Sequence, residues 1–371
     1  MKTIKIFSVP SHATKERVSG VDFARIIQPM KHLHGWSDDK VKFETTIYNP
    51  NEDTHTDWRE VVKQFDIVYF NYTANPWAFA AMGAMCRASN VPMVLDLDDN
   101  LFEITSDNPA YEVYKKGSDG LKNFIAIVNE VDYVTCTSNY LRNVIAFNTK
   151  KKHEQIFAMD NYIDLDLYKY PQPFKDTEDI LLTHFGSTTH FIDLQNKEFV
   201  GGVRRIMADF PTVKFLTVGS FVPSFRNNWG ERYQNEFGHV DVYTWIKEKF
   251  PGVMAKTDIC VVPLENLPYT RCKSDIKRSE ISSAIKPVVA QRIRQYVECI
   301  EDGVDGMLCE TADEWYKKIK LLILDKELRK KMGLAGYERI KRDKQMKDNI
   351  DKYAEFFTDT FGNKKLDNNQ K

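Results

Sequence analysis

The sequence predicts an α/β protein made of two doubly wound, Rossmann-like domains that face each other across a cleft. Short apolar runs typical of strands alternate with segments of helical spacing up to residue 159, and the alternation starts again at residue 180. Such alternation is typical of parallel sheets with helices on both faces. Residues 160–178 interrupt it with a polar, aromatic and proline-containing stretch, which we interpret as the connection between the domains.

The first half of the chain is predicted to form one parallel sheet. Its strands are short runs rich in β-branched and aromatic residues, and its helices repeat apolar residues every three to four positions. The predicted strands are Thr3–Val9, Val41–Tyr48, Asp66–Asn71, Pro92–Leu97, Tyr133–Thr137 and Glu154–Met159. The predicted helices are 23–33, Trp58–Phe65, Trp77–Ala88, Leu121–Val131 and Tyr140–Phe147. Ligands of such sheets bind at the carboxyl ends of the strands.

The second half repeats the pattern and ends in helices. The predicted strands are Ile180–Phe185, Val213–Val218, Asp258–Leu264, Val288–Ala290 and a short one within residues 302–310. The predicted helices are Asp193–Asp209, Arg292–Ile300, Ala312–Leu324, Lys326–Arg342 and Met346–Phe361. Residues 240–250 mix both signals, and residues 221–239 fit neither. We expect domains over residues 1–170 and 171–345, with residues 346–371 forming a helix that crosses back to the first domain and a frayed tail.

Composition narrows the class of protein. The chain has 52 Lys and Arg against 53 Asp and Glu, so its net charge of -1 gives no overall basic field for nucleic acid or membrane. The six cysteines show no CxxC spacing, which is typical of reduced cysteines in a cytosolic protein. No apolar run reaches the ~18 residues of a membrane span. We therefore expect a cytoplasmic protein without a membrane span.

A basic stretch follows the strand-like run DICVVPL. Arg271, Lys273 and Lys277 fall within seven positions, and Glu280 follows about one turn later. If Ser274 begins a helix, Lys277 lies in its first turn and Lys273 just before its N-terminus, on the same side. A strand, a loop and a positively charged helix start form one way in which α/β proteins hold a phosphate. A solvated helix face with ordinary charge pairs is an equally good interpretation of this stretch alone.

A second phosphate-type signal lies earlier in the same half. Gly186 and Ser187 follow the strand ILLTHF, and a helix is predicted after them. The run GSTTH lets backbone amides and hydroxyls approach a phosphate, although a plain strand-to-helix turn explains one glycine equally well. His190 is then a surface imidazole or a ligand contact, and Asp193 is a helix cap in the simpler interpretation.

Carboxylates follow an apolar strand in the first half. Asp96, Asp98 and Asp99 end the run VLDLDD, where they face the expected cleft and could orient a sugar or take a proton. Paired carboxylates also bind hard cations, but no histidine cluster accompanies these, and we predict no metal site. A strand-end turn with capping aspartates is the alternative.

The loop after the first strand supplies a third set of candidates. Gly20, Asp22 and Arg25 open the first predicted helix in the run SGVDFAR. They could bind an anion or an acceptor hydroxyl, and Arg25 could equally be a surface cation. The sequence therefore places acceptor-side candidates opposite the donor-side candidates of the second half.

Six segments of the second half resemble the retaining glycosyltransferases of family four, which have the GT-B fold. In order and spacing they cover nearly all of residues 180–335. They read HFGSTTHFIDL, FLTVGS, DICVVPLENLPYTRCKSDIKRSE, KPVVA, YVECIEDGVDGMLC and ADEWYKKIKLLILDKELRKKMG. In the first half, VLDLDDNLFEI, with its DxDD motif, resembles a subgroup found in bacteriophage and in bacterial surface-polysaccharide enzymes.

The resemblance implies donor-binding roles in the second half. The residues that it implies are Gly186, Ser187, His190, Arg271, Lys273, Ser274, Lys277 and Glu280. Gly186 and Ser187 would lie against the donor diphosphate, which Lys273 and Lys277 would neutralise. Glu280 would bind the ribose hydroxyls of the donor.

The same resemblance implies that Asp98 and Asp99 lie beside the transferred sugar and act with Lys277 in catalysis. The sequence also departs from the family. The first glutamate of the family's motif falls on Cys272, and the usual Arg and Lys pair after the Gly186 loop is missing. The lysines of the basic stretch would then do the work of that pair.

The activity that follows is retaining transfer from a nucleoside-diphosphate sugar to a hydroxyl acceptor. The family implies UDP as the nucleotide, and the donor is a co-substrate, so no cofactor or metal is expected. The acceptor is a saccharide or, alternatively, 5-hydroxymethylcytosine in phage DNA, which a basic face around Lys15, Arg17 and Arg25 would favour. Cys272 motivates a further alternative, a non-catalytic sugar-nucleotide-binding protein, and an epimerase on the same fold is another.

Overall fold

A computed structural model describes the chain over residues 1–10, 18–48, 58–72, 76–168, 179–186, 190–236 and 241–362. Within these ranges the protein contains two six-stranded sheets, and all the strand pairs in both are parallel. The observed fold is therefore the predicted α/β architecture with two doubly wound sheets.

The first sheet has the strand order β2-β1-β3-β4-β5-β6. Its strands are β1 Lys2–Val9, β2 Val41–Ile47, β3 Ile67–Asn71, β4 Met93–Leu97, β5 Tyr133–Cys136 and β6 Ile156–Ala158. Every residue of β3 and β4 is buried. Strands covered on both faces need continuous apolar runs, which is why these segments were easy to predict from the sequence.

The second sheet has the order β12-β11-β10-β7-β8-β9. Its strands are β7 Leu181–Phe185, β8 Lys214–Val218, β9 Tyr233–Glu236, β10 Ile259–Val262, β11 Val288–Gln291 and β12 Met307–Cys309. The sequence pattern did not predict β9, because this edge strand reads YQNE and only Tyr233 is buried. The preceding helix, Pro223–Trp229, was also missed, although Phe225 and Trp229 pack on Phe215 in the core.

Helices connect the strands and cover both sheets. The α-helices are Gly20–Asp22, Gln28–Leu33, Trp58–Val62, Pro76–Ala88, Tyr111–Tyr114, Asp119–Glu130, Asn139–Asn148, Lys197–Asp209, Pro223–Trp229, Val242–Thr244, Phe250–Lys256, Pro268–Arg271, Ile276–Ser283, Arg294–Cys299, Ala312–Leu324, Lys326–Asp343, Met346–Asn349 and Asp351–Phe361. Wider π-helical turns lie at Phe23–Ile27 and Trp245–Lys249, and short 3-10 turns at Leu101–Glu103, His153–Gln155, Asp193–Gln195 and Gly230–Arg232. The mixed signals near residue 245 thus come from consecutive helical turns.

The last helix, Asp351–Phe361, packs on the first sheet although it follows the second in the chain. Phe357 is fully buried, and its ring lies against Tyr69 and Phe43 of that sheet. The chain therefore returns to the first sheet after completing the second, and its apolar helix face closes the first core.

Two expectations about the whole chain can be compared with the structure. All six cysteines are unpaired, and five of them are buried. No helix in the described part of the chain combines the length and the apolar character that crossing a membrane requires. The cysteines thus behave as small apolar core residues.

Candidate active site

A cavity of about 490 Å³ lies between the carboxyl ends of the two sheets. Loops from both sheets line it, as expected for ligand sites in doubly wound folds. The lining residues that were predicted from the sequence are Gly20, Arg25, Asp98, Asp99, His190, Lys273, Ser274, Lys277 and Glu280. Most of the candidates named from the sequence therefore meet in one place.

The helix Ile276–Ser283, which we call the donor helix, brings two of these residues to the cavity. It begins two residues later than predicted, with Asp275 at its N-cap instead of Ser274. Lys277 lies in its first turn, and Glu280 follows on the same face, so both side chains line the cavity. The positive end of the helix and the ammonium group of Lys277 reinforce each other here.

Lys277 is a half-buried cation with one described hydrogen bond. Its Nζ donates a hydrogen bond to the Phe185 carbonyl at 2.9 Å. Among the described residues it makes no ion pair, and burial lowers the pKa of Lys277 to about 8. A Cβ on Gly186 would lie only 2.9 Å from Lys277 Nζ, so the missing side chain leaves room for this group. The geometry therefore offers a positive charge to a ligand.

Lys273 is held differently, because it is already paired across the cavity. Its Nζ lies 2.8 Å from Asp99 Oδ1. Tyr269 donates its hydroxyl to the other oxygen of Asp99 at 2.6 Å. Burial alone would lower the pKa of Lys273, but Asp99 and Tyr269 hold it well above the usual value. Lys273 and Asp99 therefore form an ionised pair that joins the two sides of the cavity.

Asp98 and Asp99 are neighbours with opposite behaviour. Burial would raise the pKa of Asp99, but Lys273 keeps it below the usual range. Burial and the charge of Asp99 raise the pKa of Asp98 to about 7. Two carboxyl groups with diverging pKa values are typical of sites that move protons or orient hydroxyls. Asp98 is thus the group that titrates near neutral pH.

Glu280 is oriented by aromatic side chains that were not predicted as site residues. The Tyr168 hydroxyl donates to Glu280 Oε1 at 3.1 Å, and the Trp245 side chain also bonds this carboxyl. Burial raises the pKa of Glu280. Tyr168 lies in the segment interpreted as a connection, and Trp245 lies in the segment of mixed signals, so periodicity gave no reason to choose either one.

His190 forms a dyad with Asp193. Nδ1 of His190 lies 2.7 Å from Asp193 Oδ2, and the other oxygen of Asp193 accepts the Glu265 amide at 2.9 Å. Burial, with Lys277 and Lys273 nearby, holds the pKa of His190 well below its usual value. Asp193 is not the cap of the following helix as the simpler interpretation held, because Asn196 caps it.

The structure corrects the predicted roles of Arg25 and Asp96. Arg25 lies at the edge of the cavity, but it is only 1% exposed and its Nε and Nη2 bind both oxygens of Asp96 at 2.9 and 2.8 Å. Its Nη1 donates to the Met159 carbonyl and to Asn161 Oδ1. Both predicted site residues are therefore structural partners of each other, and neither Arg25 nor Asp96 has a free edge for a ligand.

The two other acceptor-side candidates differ in position. Gly20 lines the cavity. Asp22 is buried outside the lining, where its carboxylate accepts the Ser19 hydroxyl at 2.8 Å. Asp22 thus organises the helix start, and the prediction that it binds an acceptor is corrected accordingly.

The remaining donor-side candidates are also separated by the structure. Arg271 does not line the cavity, because its Nε donates to Asn266 Oδ1 at 2.7 Å. Ser274 does line it, and its hydroxyl accepts Asn161 Nδ2 at 2.7 Å. Ser187 lies outside the described residues. Arg271 therefore contributes nothing to the cavity lining in this structure, and its helper role stays a prediction.

Cys272, the departure from the family pattern, points away from the cavity. It is fully buried with Tyr269 in the apolar cluster of the first sheet. Its carbonyl accepts hydrogen bonds from Thr137 and Ser138 of that side at 3.4 and 3.5 Å. The segment before the donor helix is therefore anchored in the first domain, and the thiol has no access to a ligand.

The described residues contain no cluster of three or more histidine, cysteine or carboxylate side chains that could hold a metal ion. Of the three aspartates considered as ligands, Asp96 is bound by Arg25 and Asp99 by Lys273. These carboxylates are thus neutralised by protein cations.

Comparisons with known proteins concern the fold of the chain and its residues 192–325. Residues 192–325 match the family model described as "Glycosyl transferases group 1". Anabaena HepE in complex with UDP-glucose superposes with a TM-score of 0.65 at 15% identity, covering 96% of this chain and 100% of that one. Sucrose-phosphate synthase from Thermosynechococcus elongatus gives 0.63 at 16% identity, covering 98% and 100%. A glycosyltransferase from Rickettsia africae gives 0.62 at 14%, also covering 98% and 100%.

A search of curated protein sequences finds no match to the chain. At the identities of the solved structures, the likeness establishes the fold over nearly the whole chain. The family model covers the part of the second sheet that carries the donor helix. The chain therefore has the GT-B fold, and its residues 192–325 match the glycosyl transferases group 1 family model.

Proposed function

We propose that the protein transfers a sugar from a UDP-sugar to a hydroxyl acceptor with retention of the anomeric configuration. The observation that carries this proposal is the half-buried ammonium group of Lys277 at the start of the donor helix, which makes no ion pair among the described residues, with Glu280 one turn later in the same cavity. UDP is chosen because the similar Anabaena structures are described in complex with UDP and UDP-glucose.

The proposed donor lies at the carboxyl end of the second sheet. Its diphosphate occupies the space beside Gly186, where a side chain would collide with Lys277. Its ribose hydroxyls bond Glu280, which Tyr168 and Trp245 hold in place. Its sugar then lies toward Asp98, on the opposite wall of the cavity.

The proposed chemistry uses charge rather than a covalent intermediate. The bond between the anomeric carbon and the diphosphate oxygen breaks, and Lys277 stabilises the negative charge on the leaving oxygen. The acceptor hydroxyl attacks from the same face, its proton passes to the leaving phosphate, and the new glycosidic bond keeps the configuration. Asp98 accepts a hydrogen bond from the acceptor hydroxyl and orients it. The lysines supply the positive charge, so the proposal includes no metal and no cofactor.

The alternative acceptor, 5-hydroxymethylcytosine in DNA, depended on a basic face. Lys15 and Arg17 lie outside the described residues, and Arg25 is buried against Asp96. No described feature therefore favours DNA, which proteins hold chiefly through cations on its phosphates. We propose a saccharide acceptor and treat DNA as an outcome of the test.

A donor screen tests the proposal. UDP-, GDP- and ADP-sugars are incubated with the protein, with and without a saccharide mixture, hydroxymethylated DNA and EDTA, and released nucleotide is measured. We expect UDP release that saccharides increase and EDTA leaves unchanged, and a product with the anomeric configuration of the donor by NMR. Release of no nucleotide would favour a binding protein, conversion of the donor without acceptor an epimerase, and label in DNA the other acceptor.

A further inference from the structure

His190 is a further group beside Gly186 that can carry positive charge. A Cβ on Gly186 would lie 2.9 Å from His190 Cδ2 and 2.9 Å from Lys277 Nζ, so the histidine and the lysine flank the same backbone position. His190 is 8% exposed and lines the cavity. An imidazole at this position is close enough to respond to the charge of a bound diphosphate.

The surroundings of His190 keep it neutral while the cavity is empty. Three charged groups act on His190. Two are the ammonium groups of Lys273 and Lys277, near the start of the donor helix, and the third is the Asp99 carboxylate from the first domain. On its own side His190 contacts Asp193, and His184 lies behind it with ring centroids 6.4 Å apart. Burial and the two lysines together lower the pKa of His190, and they outweigh the influence of Asp99.

Asp193 decides which ring nitrogen is available. Its carboxylate accepts a hydrogen bond from Nδ1–H of His190 and another from the Glu265 amide, and these two bonds fix the orientation of the carboxylate. Nε2 of His190 has no hydrogen-bond partner among the described residues and remains an unprotonated nitrogen. His184 does not share this role, because its Nδ1 is bonded to the Val261 carbonyl inside the sheet.

We propose that His190 takes up one proton from solvent when the donor diphosphate binds, and that Asp193 is the positioning residue that directs this proton to Nε2. This inference rests on the proposed function and extends it. The incoming diphosphate brings two negative charges next to the ring and thereby offsets the effect of the two lysines. Protonated Nε2 then donates a charge-assisted hydrogen bond to a diphosphate oxygen.

The sign of the resulting pH dependence follows from linkage. Donor binding raises the pKa of His190, so the bound state holds one more proton than the free state. Affinity therefore falls as pH rises, by up to about tenfold per pH unit between the free and bound pKa values. Lys277 adds a second uptake above pH 8, because burial places its pKa at about 8 in the free protein.

Calorimetry with the full chain and UDP-glucose, or the best-binding UDP-sugar of the screen, tests the proposal. Both phosphates of such a donor are esterified, so the ligand itself does not titrate near pH 7. Titrations in buffers of different ionisation enthalpy give the number of protons taken up. We expect close to one proton at pH 7 for the natural protein, where Lys277 is already mostly protonated.

Two variants separate this role from a structural one. His190→Gln keeps a polar side chain at the same place; it should bind the donor roughly 10-fold more weakly at pH 7 and take up close to one proton fewer than the natural protein. It should regain uptake above pH 8, where Lys277 titrates. Asp193→Asn should bind with reduced uptake at pH 7. Circular dichroism and thermal unfolding check that both variants fold.

The outcomes distinguish the two proposals. Donor binding without proton uptake at pH 7, or equal uptake in His190→Gln, overturns the role of His190 and leaves the proposed function intact. Failure of every nucleotide-sugar to bind overturns both. A purely structural dyad would lower the stability of the variants but leave the proton count per bound donor unchanged.

Discussion

Each domain places a cation at the cavity, the buried Arg25 in the first and the half-buried Lys277 in the second, and the two differ in their partners. Arg25 of the first domain has partners on all three guanidinium nitrogens, including both oxygens of Asp96. Lys277 of the donor helix has one backbone carbonyl. A cation whose hydrogen bonds are complete stabilises the fold, whereas an ammonium group with one described hydrogen-bond partner can still bind a ligand. The two cations therefore differ in their hydrogen-bond partners, although both lie at the same cavity.

The largest expected effect comes from removing the ion pair between Arg25 and Asp96 in the first domain. Arg25→Met should lower the free energy of unfolding by about 3–5 kcal/mol, because Asp96 is left buried and unpaired. Urea denaturation measures this loss. The double variant Arg25→Met with Asp96→Leu removes both charges and should recover most of it. A loss below ~1 kcal/mol for the single variant would mean that the pair is not structural.

The second prediction concerns the other cation. Lys277→Met should lower kcat/KM for UDP release by about 100- to 1000-fold, which corresponds to ~3 kcal/mol of lost transition-state stabilisation. Stability should hold or rise, because a half-buried charge that makes no ion pair among the described residues is removed. Lys330→Met, at an exposed position of the helix Lys326–Asp343, is the matched control. Unchanged kinetics in Lys277→Met would refute the proposed donor site.

The third prediction sharpens the contrast between the paired and unpaired aspartates. Because the pKa of Asp98 is raised to about 7 and the ionised form orients the acceptor, kcat at saturating donor should fall about tenfold per pH unit below pH 7. Asp98→Asn should be slow at every pH and should lack this acid limb. Asp99→Asn removes a charge that raises the pKa of Asp98, so its acid limb should move to lower pH. An acid limb that persists unchanged in Asp98→Asn would show that it does not belong to Asp98.

The smallest effect tests the bond that joins the two sides of the cavity. Tyr269→Phe removes the hydroxyl that bonds Asp99 and leaves the ring in its apolar cluster. We expect a loss of about 1 kcal/mol, seen as a three- to tenfold decrease in kcat with little change in unfolding. Steady-state kinetics and thermal unfolding of the same preparation measure both. A decrease in KM alone would contradict a role in orienting Asp99.

Much of the fold was predictable because burial leaves a periodic trace. β3 and β4 read as mainly apolar runs, and the helix Ala312–Leu324 was predicted to the residue. The edge strand β9 has polar residues on its exposed positions and leaves no such trace. A polar edge strand is defined by its pairing with a neighbouring strand, here β8, and the local sequence does not show that pairing.

The site was predictable where a local motif sufficed. Lys277 and Glu280 lie on one helix face, so their spacing alone brings them together. The role of Arg25 depends on Asp96, a residue of another strand, and the roles of Tyr168 and Trp245 depend on Glu280. These partners are chosen by tertiary packing, which no spacing within a short segment encodes.

The burial of Cys272 and Tyr269 among first-domain side chains has a mechanical consequence. The loop that contains Lys273 packs against the first sheet, whereas Lys277 lies in a helix that packs on the second. Any rotation that parts the two sheets must therefore stretch the few residues between these lysines. The distance between the ammonium groups of Lys273 and Lys277 should therefore increase when the two domains move apart.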